Sequence, residues 1–140
     1  MSTEFRPITI KGIVDSEIGS PRNDGTPDSS LYTVPLKLSG LAPSEWAAIF
    51  VEAFDHPSES TKGHRRGIAS VHGNRIILNG TTVDEIGKIH KKTLALALAV
   101  ANSEYFALLA KRAAAEAAER KRIFDHKKSA TGAAKKVKFA

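Results

Sequence analysis

The stretch IASVHGNRIILNGTTVDE, residues 68–85, decides the fold. Two short apolar segments flank Gly73 and Asn74, a pair suited to the two-residue type II′ turn that joins antiparallel strands. That turn sets Val71 opposite Ile76 and Ala69 opposite Leu78, with all four side chains on one face. The other face carries Arg66, Ser70, His72, Arg75 and Asn79, relieved only by Ile68 and Ile77. The hairpin therefore predicts an antiparallel sheet with one buried side. Thr82, followed three residues later by Glu85, is a capping box that opens a helix at Val83.

The same order is legible upstream. Residues 5–14 suit a strand with Ile8, Ile10 and Val14 alternating against polar positions, and residues 31–38 suit a second with Tyr32, Val34, Leu36 and Leu38 on one face. Pro35 donates no ladder hydrogen bond, which argues for an edge strand. Between them lies a polar loop, residues 15–30, rich in Gly, Pro and acids. Residues 43–55 form a helix opened by Pro43, with an apolar stripe at Trp46, Ile49, Phe50 and Ala53, and Pro57 ends it. Leu38-Ser39-Gly40 matches Leu78-Asn79-Gly80 at an offset of forty residues. That match reads either as convergence of strand-to-helix turns or as two related ββα units about a pseudo-two-fold axis. Both give an α+β fold, ββαββα, with a mainly antiparallel four-stranded sheet and two helices on one face.

The second helix has no obligatory stop before about His126, and such a rod would extend ~65 Å. Asn102 and Ser103 mark the one place for a break. Leu94 and Leu98 share one helical face while Leu96 and Val100 lie on another. Two apolar faces require two partners: the sheet, and either the first helix or a second subunit. Leu96 and Val100 are therefore the candidate interface residues, and a homo-oligomer is expected.

The charge is unevenly spread. Residues 1–110 hold eleven Lys/Arg against twelve Asp/Glu, a net of −1, whereas residues 111–140 hold ten against three, a net of +7. This divides the chain into a compact α+β domain (1–110), a basic, Ala-rich helical extension (111–128) and a Lys-rich tail (129–140) expected to be disordered. Lys111, Arg112, Arg120, Lys121, Arg122, Lys127, Lys128, Lys135, Lys136 and Lys138 would track phosphates and release their counterions. The same charge would serve an acidic protein partner or a solvated tail. Aromatic residues are scarce there, only Phe124 and Phe139, which disfavours a base-stacking platform.

Other candidates are weaker. Arg66, His72 and Arg75 would suit an anion or an RNA backbone on the open sheet face, and would equally be the ordinary polar side of such a sheet. Glu52, Asp55 and His56 have one-turn spacing but no HExxH pattern, so no metal is expected. Asp15, Glu17, Asp24 and Asp28 lack the alternating ligands of a calcium loop. Proton transfer by His64, His72 or His90 would need a partner that sequence alone does not place. Phosphate-binding Gly-rich loops and nucleophile elbows do not occur, and no cofactor is expected.

Cysteine is absent, so disulfide and thiolate chemistry are excluded and a reducing, cytoplasmic setting is the default. The longest apolar run, residues 94–101, is eight long against the ~20 of a membrane span. The sequence thus leads to a small non-enzymatic binding or adaptor protein whose basic arm contacts nucleic acid non-specifically. The alternative is a protein–protein interaction module that dimerises through the long helix, with a tail that binds an acidic partner. An enzyme with a His/carboxylate site comes third.

Overall fold

The computed structural model describes residues 5–21, 30–59 and 63–137, and divides into a compact unit, Phe5–Tyr105, and a second unit that holds the chain from Phe106 onward. Asp24, Asp28 and Lys138 lie outside the described residues. In the compact unit the order is β1 (Ile10–Ile13), β2 (Tyr32–Leu38), α1 (Ser44–Asp55), β3 (Ala69–His72), β4 (Arg75–Thr81) and then α2, which spans Val83–Lys136 and includes a π turn at Ile86–His90. The strands form one antiparallel sheet in the order β1-β2-β4-β3. This is the ββαββα arrangement that the hairpin implies.

The hairpin register is the expected one, with Ala69 opposite Leu78 and Val71 opposite Ile76. Gly73 supplies the turn's left-handed residue at φ 62°, a conformation that a side chain would strain. Thr82 Oγ1 accepts from Glu85 N at 3.1 Å, one half of the capping box. The Glu85 carboxylate does not close the other half. It accepts instead from Thr81 Oγ1 at 3.3 Å and from Arg65 at 3.3 Å.

The β2–β4 register fits the two-fold reading of the repeat. Leu36 pairs with Ile76, forty positions on, so a shift of that size returns the pair to itself. Val34 paired with Leu78 maps onto Leu38 and Asn74, and Leu38 N does donate to Asn74 O at 2.8 Å. The halves differ where β1 meets β2, because the segment between them is far longer than the two-residue turn between β3 and β4.

Pro35 corrects the edge-strand expectation: β2 is central, between β1 and β4. Its backbone polar group faces β1, where Val14 N donates to Pro35 O at 2.9 Å. The return bond, which proline cannot make, would go to Val14 O. That carbonyl accepts from Glu17 N at 3.0 Å in the 3₁₀ turn Asp15–Glu17. A proline therefore fits inside the sheet because its missing donor falls where β1 ends.

One apolar cluster joins the sheet to both helices: Val34, Leu36, Leu38, Ile76 and Leu78 below, with Trp46, Phe50 and Phe54 from α1 and Leu94, Ala97 and Ala101 from α2. Both helices thus cover one face of the sheet. The buried α1 residues recur every four positions and stack, Trp46 on Phe50 at 5.3 Å and Phe50 on Phe54 at 6.4 Å between ring centroids. Phe54 replaces Ile49 and Ala53 as the third inward residue, since the helix presents its aromatic ridge to the sheet and its smaller residues to the flank.

At Asn102, the one place the sequence leaves open to a break, α2 runs on without one. Its side chain faces inward: Oδ1 accepts from Ile8 N and from Trp46 Nε1, each at 2.9 Å, and Nδ2 donates to Ile8 O at 2.9 Å. This amide also accounts for the short β1. The backbone of Ile8 pairs with α2 rather than with β2, and ladder pairing begins only at Ile10.

By length and composition α2 is apolar enough to cross a membrane, with a mean hydropathy of 1.5 over its best 18 residues, of which 22% are buried. Its inward members, Leu94, Ala97 and Ala101, belong to the core cluster shared with the sheet and α1.

Candidate nucleic-acid interface and a buried histidine cluster

The second unit is helical from Phe106 to Lys136, including residues 129–136 where composition predicts disorder. Alanine and long unbranched side chains cost little entropy in a helix, which is why so polar a segment adopts one. Two cations are tied to acids on the same helix. Arg120 lies 3.9 Å from Glu116, and Arg122 lies 2.7 Å from Glu119, whose carboxyl is held below its usual range by that hydrogen bond. Lys111, Lys121, Lys127, Lys128, Lys135 and Lys136 make no ion pair with the described residues.

At 100° per residue, Arg120, Lys121, Lys127, Lys128 and Lys135 fall within one face about 120° wide. Lys121, Lys128 and Lys135, spaced by seven, stand about 10.5 Å apart along it. Phe124 lies in the middle of this face and is 65% exposed. Lys111, Arg122 and Lys136 share a second row, with Arg112 outside both.

The sheet-face trio does not converge. Arg75 is bound to Glu17 at 3.2 Å and to Asn74 at 3.0 Å, so its charge is matched. His72 pairs with it across the turn and is exposed. Arg66 precedes β3 at the other end of the ladder, where it lines a polar cleft of about 370 Å³ with Arg65, Tyr32 and Asn79. As a single anion site, the grouping of Arg66, His72 and Arg75 is not supported, because the β3–β4 hairpin separates its members along the strand.

Leu96 and Val100 line a groove of about 510 Å³ together with Ile49, Ala53, Glu52 and Glu104. The first helix is therefore the neighbour of this second apolar face. It covers the face only in part, as Val100 remains 37% exposed. Beside the groove, His56 lies 3.8 Å from Glu52, while Asp55 Oδ1 accepts from Gly67 N at 2.9 Å. Among the described residues, no group of three or more His, Asp or Glu side chains converges as metal ligands would.

The chemically unusual place in the compact unit lies deeper. The inward stripe of α2 reads Ile86, His90, Leu94, Ala97 and Ala101, so a histidine occupies a core position and is fully buried. His90 closes the π turn, a local widening of the helix that recurs at functional sites. The His64 ring stands edge-on to it at 5.7 Å between centroids, and Phe54 packs against both at 4.7 and 6.0 Å. His64 Nε2 donates to Phe54 O at 2.8 Å, satisfying a carbonyl in the last turn of α1. In the neutral ring that bond leaves Nδ1 as a bare acceptor.

Among the described residues, four buried atoms here have no hydrogen-bond partner: His64 Nδ1, both nitrogens of His90 and Thr93 Oγ1. Burial holds the His90 imidazole below its ordinary value; His64 and Arg65 act in the same direction, and Glu85 opposes them. The signal available in sequence was a polar residue on the stripe Ile86–His90–Leu94. Its partner, His64, lies in a loop that no periodicity locates. No family model, curated protein or solved structure matches this chain.

Proposed function

We propose that this chain is a small, non-enzymatic binding protein of the cytoplasm whose basic helical arm contacts nucleic acid through the phosphate backbone. The observation that carries the reading is the cationic face of Arg120, Lys121, Lys127, Lys128 and Lys135, on an extension whose residues 111–140 have a net charge of +7. Cations spaced along one side of a rigid rod follow a phosphate chain, and such contacts give affinity without reading sequence. Phe124, alone among them, offers one apolar contact rather than a stacking platform.

Fluorescence anisotropy with labelled duplex DNA, single-stranded DNA and RNA tests this. Five phosphate contacts on duplex DNA predict that log K falls against log salt with a slope of about −4.5. Binding without preference among duplex sequences is expected. A salt-independent affinity, or no binding at low salt, contradicts the reading.

A second reading rests on the groove at Leu96 and Val100, whose apolar floor α1 covers only in part. There the chain would self-associate, and the arm would take an acidic protein partner. Sedimentation of the full chain distinguishes the two. A dimer that persists at high salt and is lost in the Leu96→Glu/Val100→Glu variant supports association, and a monomer at all concentrations contradicts it.

A further inference from the structure

We propose that His90, with the His64 ring packed against it, forms an acid-sensitive latch, which ties the segment at residues 63–67 to the end of α1 and the π turn of α2 while the His90 ring is neutral and releases it when that ring takes up a proton.

The latch rests on donor and acceptor geometry. His64 Nε2 donates to Phe54 O, which holds residues 63–67 against the last turn of α1, and its buried Nδ1 has no partner among the described residues. His90 is fully buried, and neither of its nitrogens has a partner among the described residues. A protonated His90 would carry two N–H donors and a full charge into this site, the costliest kind of buried group. Its neighbours give little compensation. From the segment before β3 it meets His64 and the Arg65 guanidinium, which repel a cation. From the first turn of α2 it meets Glu85, the one attractive charge, which is already shared with Arg65 at 3.3 Å and Thr81 at 3.3 Å. On α1, Asp55 is taken up by Gly67 N at 2.9 Å, and the Phe54 carbonyl by His64. Thr93, one turn further along α2, offers only a hydroxyl.

The direction follows from linkage. The folded state binds fewer protons at His90 than the unfolded state does once pH falls below about 6.5, the ordinary imidazole value. The contribution of the latch is therefore complete above that pH and is lost progressively below it. The segment that leaves carries Arg65 away from Glu85 and frees the last turn of α1. None of this involves the basic arm, so the latch stands or falls separately from nucleic-acid binding.

The test follows urea unfolding of the full chain by the fluorescence of Trp46, from about pH 8 to about pH 5, for wild type, His90→Gln and His64→Gln. Wild type is expected to lose its unfolding midpoint steadily below about pH 6.5, and His90→Gln to lose the larger part of that dependence. A flat wild-type profile overturns the proposal, as does an equal drop in all three proteins. Should His90→Gln fail to fold, the imidazole ¹⁵N shifts of wild type decide. A His90 ring that stays neutral below pH 6.5, then protonates together with loss of the native signals from residues 63–67, supports the latch. A ring that protonates within an unchanged native spectrum overturns it.

Discussion

Asn102→Leu is expected to lower the unfolding free energy by about 3–5 kcal/mol, the largest effect of any single polar substitution in the compact unit. Leucine keeps the heavy-atom branching of asparagine, so the cost is chiefly one of lost pairing. Three hydrogen bonds at 2.9 Å go at once: the amide and carbonyl of Ile8, and the indole N–H of Trp46. Each group left without a partner in a partly buried place costs about 1–3 kcal/mol, and the three share one acceptor–donor pair. Urea unfolding followed by circular dichroism reads the change. A loss below about 1 kcal/mol would mean that the N-terminal segment is not held to α2 through this side chain.

Phe50→Ala is expected to cost about 3–5 kcal/mol, at the upper end for a core truncation. The ring is fully buried at the middle of the Trp46–Phe50–Phe54 ridge, so its removal takes a stacking partner from both neighbours. Collapse into the space is limited, because Val34, Leu36, Ile76 and Leu78 are fixed by the two central strands and Trp46 is tied to Asn102. A drop in midpoint of that size, with the near-ultraviolet signal of Trp46 altered in the folded state, is the predicted result. A nearly neutral substitution would contradict the single core described above.

Much of the fold could be read from local chemistry. Gly73–Asn74 set the register of β3 on β4, Thr82 marked the start of α2, and Trp46 and Phe50 marked the inward side of α1. What could not be read depended on partners distant in sequence. Pro35 looked like an edge residue because its tolerance in a central strand depends on Val14 O finding Glu17 N, a pairing that β1's end creates. Asn102 stood out only as a place where a break could fall, because its partners, Ile8 and Trp46, lie 94 and 56 positions away. The apolar spacing placed Ile49 and Ala53 on the inward stripe and passed over Phe54, because only the crossing of α1 over the sheet decides which side lies deepest.

The candidate sites divide along the same line. The basic arm was legible because charge is a property of composition, and once the segment is helical its spacing fixes which cations share a face. The sheet-face trio does not converge, because residue type and strand assignment do not give position along a ladder: Arg66 and Arg75 belong to opposite ends of the hairpin. The histidine cluster was missed for the converse reason. His90 stood on an apolar stripe in plain sight, but its chemistry comes from His64, Arg65 and Glu85, which meet it only after β3, β4 and α2 have assembled.

The most direct measurement compares the full chain with a full-length variant in which Arg120, Lys121, Lys127, Lys128 and Lys135 are all changed to glutamine, titrated against labelled duplex DNA from low to physiological salt. Each phosphate contact removed should reduce the salt slope by about one. Wild type is predicted to bind with a slope of about −4.5, and the variant to retain its fold while losing both the low-salt affinity and the slope. Equal affinity and equal slope in the two proteins would contradict the account.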